Sequence, residues 1–295
     1  MIRVDVAILC ADRGWHIAEL QRALEWRGHR SCVLPITALT ARIGSAPRLA
    51  SEGTPLDGFD AVIVRIIPLG SLEQIIFRMD ALHRLERMGV PVHNPPAALE
   101  RTVDKFYTSW LLEDAGIPTP RTVVAERMVD AMAAFREMSD VVVKPLFGSN
   151  GRGMVRVDDE EIAYRVFRAL EMERAAYYIQ QVIPHEGRDL RVFVVGGRVI
   201  AAAWRVADHW RTNVARGGRM EPAELPESWV ELALRAARAV GAEYAGVDLL
   251  PAPDGGVYVL EVNGIPGWQG LQGTTRVDIA GAIVEHLEER VRGAV

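Results

Sequence analysis

Lys144 ends the apolar run VVVKP, and glycines at 148, 151 and 153 follow in the turn GSNGRG. Glycines so spaced leave backbone amides uncovered, and such amides hold phosphate oxygens at little steric cost. No Lys-Ser or Lys-Thr follows Gly153, so this is not G-x-x-x-x-G-K-[ST], and it is not G-x-G-x-x-G. On the glycines alone a plain mobile hairpin is the better reading. Lys144 alters that balance, because a cation in an apolar strand must find an anion or carry a desolvation cost.

A second group lies in GVDLL and LEVNG, where Asp248, Glu261 and Asn263 fall on two strands expected to pair antiparallel, with Glu261 and Asn263 on one face. Two carboxylates and a carboxamide are oxygen donors that suit a hard cation such as Mg²⁺ and no soft metal. The plainer alternative is strand-end charges meeting solvent. The apolar flanks of both runs disfavour it. A third group comprises Arg191, Arg205, Arg211 and Arg216 with Asn213. Arginine can grip a carboxylate or phosphate with two parallel hydrogen bonds and can stabilise a developing phosphoryl charge. Taken singly, each reads as a surface arginine. Arg211 and Asn213 sit among glycines and aromatics without helical or strand period, and for them a binding loop is an equal reading.

These residues need elements to hold them. The 295 residues are enough for two or three compact units, and 49% hydrophobic with 25% charged residues is ordinary for a globular chain. A net charge of -5, with both signs mixed along the length, argues against nucleic-acid or anionic-membrane partners. Cys10 and Cys32 lie in apolar runs and read as buried thiols, as in a reducing cytoplasm. The opening run MIRVDVAILCADRG is too short for a signal peptide or a membrane span.

VDVAILCA, HIAELQRALEWRG and SCVLPI read as strand, helix, strand, and FDAVIVRIIP, SLEQIIFRMDALHRLERMG and PVHN continue the alternation. Residues 1–95 therefore read as a small parallel α/β domain. Pro95-Pro96 breaks the chain, and VDKFYTSWLLEDAG gives a helix. From Val141 the pattern is strand, Gly-rich turn, strand, a helix near 160–173, and the strand YYIQQVI. From Leu190 a hairpin turns at Gly196-Gly197, and the helix WVELALRAARAVGA leads to the two strands of the carboxylate group. The divisions are 1–95, 96–183 and 184–295, with α/β followed by α+β architecture.

In this order, Lys105 within VDKFYTSWLLEDAGIPTPRT, then VVVKPLFGSNGRGMVRV, YIQQVI, GRDLRVFVVGGRVIAA, RTNVARGG, GVDLL and LEVNGIPGWQGLQGTTRVDIA resemble the ATP-grasp carboxylate-amine ligases, and within them the RimK-like glutamate ligases. The resemblance runs from about residue 60 to 290. It implies an ATP-grasp fold with an N-terminal pre-ATP-grasp parallel α/β domain, and an enzyme using ATP and two Mg²⁺ ions, with Mn²⁺ an acceptable substitute. Lys105 and Lys144 would reach the phosphates, while Ser149, Asn150, Gly151 and Gly153 cover them. The backbone of Gln180, Gln181, Val182 and Ile183 would read adenine, with Asp189 near the nucleotide edge. Asp248, Glu261 and Asn263 would hold the metals. Arg191, Arg205, Arg211 and Asn213 would face an acyl phosphate and the substrates.

Two positions depart from the family pattern. The hinge reads Gln180-Gln181 where Gln-Glu is common, and PGWQGLQ carries Trp268, either packing or a hint of a flat substrate. The resemblance implies amide formation by a small-molecule carboxylate and an amino acid, with glutamate added to a tetrahydromethanopterin-type pterin as the leading reading. Modification of a ribosomal-protein tail or an amino-group carrier protein is the rival. A regulator that binds nucleotide without catalysis is the third, and the intact Asp248, Glu261, Asn263 set argues against it. A homo-oligomer is compatible with all three.

Overall fold

The computed structural model describes residues 3–148, 151–207 and 218–293. Strand β1 (Asp5–Cys10), helix α1 (Trp15–Trp26) and strand β2 (Arg30–Pro35) open the chain. Three short strands follow, β3 (Leu39–Ala41), β4 (Leu49–Ser51) and β5 (Thr54–Pro55), and form an antiparallel sheet of their own. Next come β6 (Ala61–Val64), α2 (Leu72–Arg87) and β7 (Val92–His93). The first sheet has the parallel order β2-β1-β6-β7. Its central strands are buried on both faces, which explains why VAIL and AVIV read as unbroken apolar runs. α2 starts at a capping box in which Ser71 and Gln74 satisfy each other's backbone amides.

Helix α3 (Pro96–Val103) and helix α4 (Lys105–Asp114) connect to the second sheet. The Pro95-Pro96 pair reads as a chain break in the sequence, yet Pro96 begins α3. Proline at a first helical position lacks only an amide that would be unsatisfied anyway, and its fixed φ suits the helix. The second sheet is built from β8 (Thr122–Ala125), β9 (Val141–Lys144), β10 (Val155–Val157) and β11 (Tyr177–Gln181) in the antiparallel order β10-β9-β11-β8. Helices α5 (Met128–Met138) and α6 (Glu160–Met172) pack on it through Phe135 and Phe167.

The third sheet is antiparallel, in the order β14-β13-β12-β15-β16. Its strands are β12 (Arg188–Val195), β13 (Arg198–Val206), β14 (Arg219–Pro222), β15 (Tyr244–Pro251) and β16 (Val257–Asn263). Helix α7 (Glu227–Val240) covers one face with Ala233, Ala236 and Val240. After α8 (Gln269–Gln272), helix α9 (Ile279–Gly293) returns to α1, where Glu288 pairs with Arg27 and His29. The Arg27 hydrogen bond, with that of His29, holds the Glu288 carboxyl down at about 2 against the opposing effect of burial. Among the described residues no helix is long and apolar enough to cross a membrane. Cys10 is buried, Cys32 is partly buried, and both are free thiols.

Asn94 ties the first sheet to the third. Its Nδ2 donates to the carbonyls of Tyr244 at 2.7 Å and Gly264 at 2.6 Å, and its Oδ1 accepts from the amides of Glu243 at 2.7 Å and Tyr244 at 3.1 Å. A fully buried carboxamide with each of its polar atoms bonded fixes the backbone immediately after Asn263.

Candidate active site

The second and third sheets enclose a cleft of about 1020 Å³, including space open to solvent. Lys105, Lys144, Gln180, Asp189, Arg205, Asp248 and Glu261 all border it. β-Sheet register brings the charged residues together. Asp189 on β12 lies opposite Arg205 on β13, and Arg191 on β12 lies opposite Asp248 on β15. Asp248 in turn lies opposite Glu261 on β16. Directly paired residues share a face, so one row of charge crosses four neighbouring strands.

Arg205 is the centre of that row. Its Nε donates to Asp189 Oδ1 at 2.8 Å, and its Nη2 donates to Asp189 Oδ2 and, at 2.7 Å, to Asp248 Oδ2. Burial pulls the Arg205 pKa down, but Asp248 and Asp189 more than offset this, so it stays charged and its pKa rises. Arg191 Nε lies 3.0 Å from Asp248 Oδ1 as an ion pair without hydrogen-bond geometry. Asp248 Oδ1 and Arg191 Nη1 are consequently both buried without a hydrogen-bond partner. A Cβ on residue 246 would collide with Arg191 Nη1, so glycine at 246 lets the guanidinium cross β15.

A bulge supplies a further lining residue. Leu249 pairs with Val259 while Asp248 pairs with Glu261, which leaves Leu260 unpaired between them. Leu260 and Glu261 both border the cleft, although adjacent strand residues ordinarily face opposite sides. With Leu250, Val142 and Met154, Leu260 gives the cleft an apolar wall. Residue alternation alone cannot find Leu260. The bulge shows only in the change of register between Leu249 and Asp248, which the local sequence does not carry.

The two lysines arrive from different elements. Asp104 caps α4 by accepting from the amides of Phe106 and Tyr107, which sets Lys105 at the first helical position. Lys105 Nζ donates to the Gly148 carbonyl at 2.8 Å and to that of Leu146 at 3.4 Å, and burial lowers its pKa. Lys144 ends β9. Of the two outcomes open to a cation in an apolar strand, an anion or a desolvation cost, the protein alone shows the second: the ammonium donates to the neutral Gln180 Oε1 at 2.5 Å and lies 5.9 Å from the Tyr178 ring. Its charge is thus solvated by a carboxamide, and burial brings its pKa down to about 8 despite the field of Glu261.

The other expected residues divide. Gln181, Val182, Ile183 and Gly151 border the cleft, with β11 ending at Gln181 and Val182 and Ile183 following it. Gly153 has φ +74°, and a Cβ there would lie 2.8 Å from Pro145 Cγ, so the turn closes on Pro145 only with glycine. Asn263 lies opposite Gly246, and its Oδ1 accepts from the Ile265 amide at 2.9 Å. Ser149, Asn150, Arg211, Asn213 and Arg216 lie outside the described residues.

Trp268 is 1% exposed and packs against Phe193, His16 and Trp15, with the Arg65 guanidinium 4.6 Å from its ring. It is a core residue and does not border the cleft, so the hint of a flat substrate falls away. His16 Nε2 accepts from the Trp268 amide at 3.0 Å. Burial, helped by Arg65, pushes His16 down to about 4, which keeps it neutral for that role.

Among the described residues no three His, Cys, Asp or Glu side chains cluster, so any cation at Asp248 and Glu261 would draw on the Asn263 carboxamide as well. The Glu261 carboxylate makes no hydrogen bond or ion pair among the described residues, and Asp248 Oδ1 lacks a hydrogen-bond partner. Two carboxylate acceptors with unfilled valence, on paired strands, fit a hard cation.

The RimK-like ATP-grasp domain matches residues 102–287, and the RimK PreATP-grasp domain matches residues 4–99. The chain belongs to the RimK-like ATP-grasp ligases. It is an ATP-binding enzyme that forms C–N bonds. The chain is 34% identical to the tetrahydromethanopterin:alpha-L-glutamate ligase of Methanococcus maripaludis, covering 95% of this chain and 96% of that one. It is 38% identical to a probable alpha-L-glutamate ligase of Xanthomonas oryzae pv. oryzae, over 90% of each. Among solved structures, the ATP-grasp RimK domain protein of Sphaerobacter thermophilus superposes with a TM-score of 0.77 at 24% identity, over 96% of this chain and 98% of that one. The ATP-grasp ligase PsnB, solved with a minimal precursor, Mg and ADP, gives 0.74 at 23% identity, over 97% and 98%. The ATP-grasp fold expected from the sequence is therefore the fold of this chain.

Proposed function

We propose that this RimK-like ligase joins the amine of L-glutamate to a carboxylate on a small cofactor, of the tetrahydromethanopterin type, through an acyl phosphate. The observation that carries the reading is that Lys105, Lys144, Asp248 and Glu261 border one cleft. Relatives named as tetrahydromethanopterin:alpha-L-glutamate ligases, at 34% and 38% identity, support the choice of substrates. In the proposed reaction a carboxylate oxygen of the cofactor takes the γ-phosphoryl group of ATP and ADP leaves. The glutamate amine then displaces phosphate, releasing a proton and forming the amide.

Within that reading, residues 1–95, 96–183 and 184–295 act as three units, with the nucleotide between the second and third. Lys105 and Lys144 attract the phosphates, and the Gly-rich turn from Ser149 to Gly153 covers them. The apolar wall, with the backbone of Gln180, Gln181, Val182 and Ile183, takes the adenine. Asp248, Glu261 and Asn263 hold two Mg²⁺ ions, which offset negative charge on the transferring phosphoryl group when bound. Asp189 orients Arg205, and Asp189 and Arg205 together fix Asp248. Arg191, Arg211 and Asn213 would meet the substrate carboxylates, as the family resemblance implies. No protein nucleophile takes part, and positioning with charge stabilisation is the whole of the chain's contribution.

Incubation with Mg²⁺-ATP, glutamate and a tetrahydromethanopterin-type pterin, followed by mass spectrometry, tests the substrate class. A glutamyl mass gain on the pterin is expected. A gain confined to protein would overturn the small-cofactor reading.

A further inference from the structure

We infer that the Gln180 side chain is a positioning residue, which holds Lys144 against a neutral acceptor so that the ammonium charge remains uncompensated for a phosphate. The inference rests on the proposed role of Lys144 toward ATP. In the register of β9 and β11, Tyr178 is opposite Lys144 and Gln180 is opposite Val142, which makes Gln180 the diagonal neighbour of Lys144. Gln180 is 2% exposed, and its side chain serves three partners. Its Oε1 accepts from Lys144 Nζ at 2.5 Å, while its Nε2 donates to Thr122 Oγ1 at 3.0 Å and to the Tyr178 hydroxyl at 3.1 Å.

The network is closed at its far end. The Tyr178 hydroxyl lies 2.8 Å from Ser109 Oγ, and Thr122 Oγ1 donates to the Pro120 carbonyl at 2.8 Å, so both hydroxyls that receive the amide have a further partner. Lysine has donors only, so the oxygen of the amide must face Lys144 and the nitrogen must face the hydroxyls. That arrangement aims the ammonium without neutralising it. Among the described residues Lys144 makes no ion pair, and Glu261 and Asp248 act on it only through their fields. A carboxylate in place of the carboxamide would turn a hydrogen bond already assisted by the ammonium into a full ion pair, and phosphates would have to compete with it. An apolar side chain there would leave both the ammonium and two hydroxyls short of a partner.

Calorimetric titrations of ATP and of adenosine into Gln180→Glu, Lys144→Met and the double variant test this. Gln180→Glu is expected to raise the Kd for ATP by about tenfold or more, leave that for adenosine within about twofold, and change ATP binding less than about twofold in the Lys144→Met background. Gln180→Met, which adds no charge, should give a smaller rise for ATP and a similar null for adenosine. Equal losses for ATP and adenosine would show that the side chain reads the base, and would overturn the inference. An equal loss in both backgrounds would overturn it too while leaving the role of Lys144 intact. If Lys144→Met alone left ATP binding unchanged, the role of Lys144 would fall, and the inference with it.

Discussion

Asp248 and Glu261 are register partners across β15 and β16, and beside them the bulge at Leu260 turns two successive residues of β16 toward one cleft. Asp248 is already engaged by two arginines, whereas Glu261 makes no hydrogen bond or ion pair with a described residue and meets Lys105 and Lys144 only through its field. Under the proposed function, Glu261 is therefore the carboxylate left to bridge cations.

Glu261→Gln keeps the side-chain shape and removes that charge. The expected result is a normal melting temperature, a requirement for more Mg²⁺, and a turnover lower by at least about a hundredfold, in line with the several kcal/mol a metal contributes to charge stabilisation. Initial rates over a Mg²⁺ titration check it. An unchanged Mg²⁺ dependence would remove Glu261 from the metal set.

Lys144 sets a pH dependence of known sign. Burial lowers its pKa from 10.5 to about 8. Between those values the unfolded chain keeps a proton that the folded chain has released, so this group adds stability to the free protein as pH rises from about 8 to 10.5. In the proposed role of Lys144 phosphate binding runs the other way, because only its ammonium form attracts phosphate. The Kd for ATP should rise above pH 8 by up to about tenfold per unit, and Lys144→Met should flatten that profile with the fold retained. Calorimetry across the range decides, and a slope unaltered in the variant would contradict the assignment.

Arg205→Met removes the cation from between Asp189 and Asp248, both buried. Breaking a buried pair by removing one partner costs about 3–5 kcal/mol. Urea unfolding should show a loss of that order, and a loss under about 1 kcal/mol would show that the row of charge is not a structural brace.

The sequence makes some of this visible and hides the rest for physical reasons. Periodicity exposes β1, α1, β6 and α2, because each carries a continuous buried run or a helical stripe. β3, β4 and β5 hold two or three residues each, too few for any period to register. The acidic residues of GVDLL and LEVNG stand out against apolar flanks, and their antiparallel pairing follows from the short connection between them. Their engagement by Arg191 and Arg205 depends on which strands lie side by side, and the order β13-β12-β15-β16 is not written in the local sequence. Lys144 shows the same limit: the sequence shows a cation in an apolar run, while its partner Gln180 is supplied by a strand that pairs with it from 36 residues away.

Trp268→Phe separates packing from substrate contact. Trp268 is surrounded by Phe193, Trp15 and His16, so the smaller ring should leave a partial void and cost about 1–3 kcal/mol. The KM values for ATP, glutamate and acceptor should stay within about twofold, a difference within the ordinary additivity error of distant sites. A changed acceptor KM with unchanged stability would place the indole in the substrate pocket.

The central claim, amide formation through an acyl phosphate, is tested most directly by the products of ATP in a complete reaction with Mg²⁺, glutamate and the pterin acceptor. One ADP and one inorganic phosphate per glutamyl amide, with negligible release when the acceptor is omitted, is the predicted stoichiometry. AMP and pyrophosphate, or phosphate release that ignores the acceptor, would contradict it.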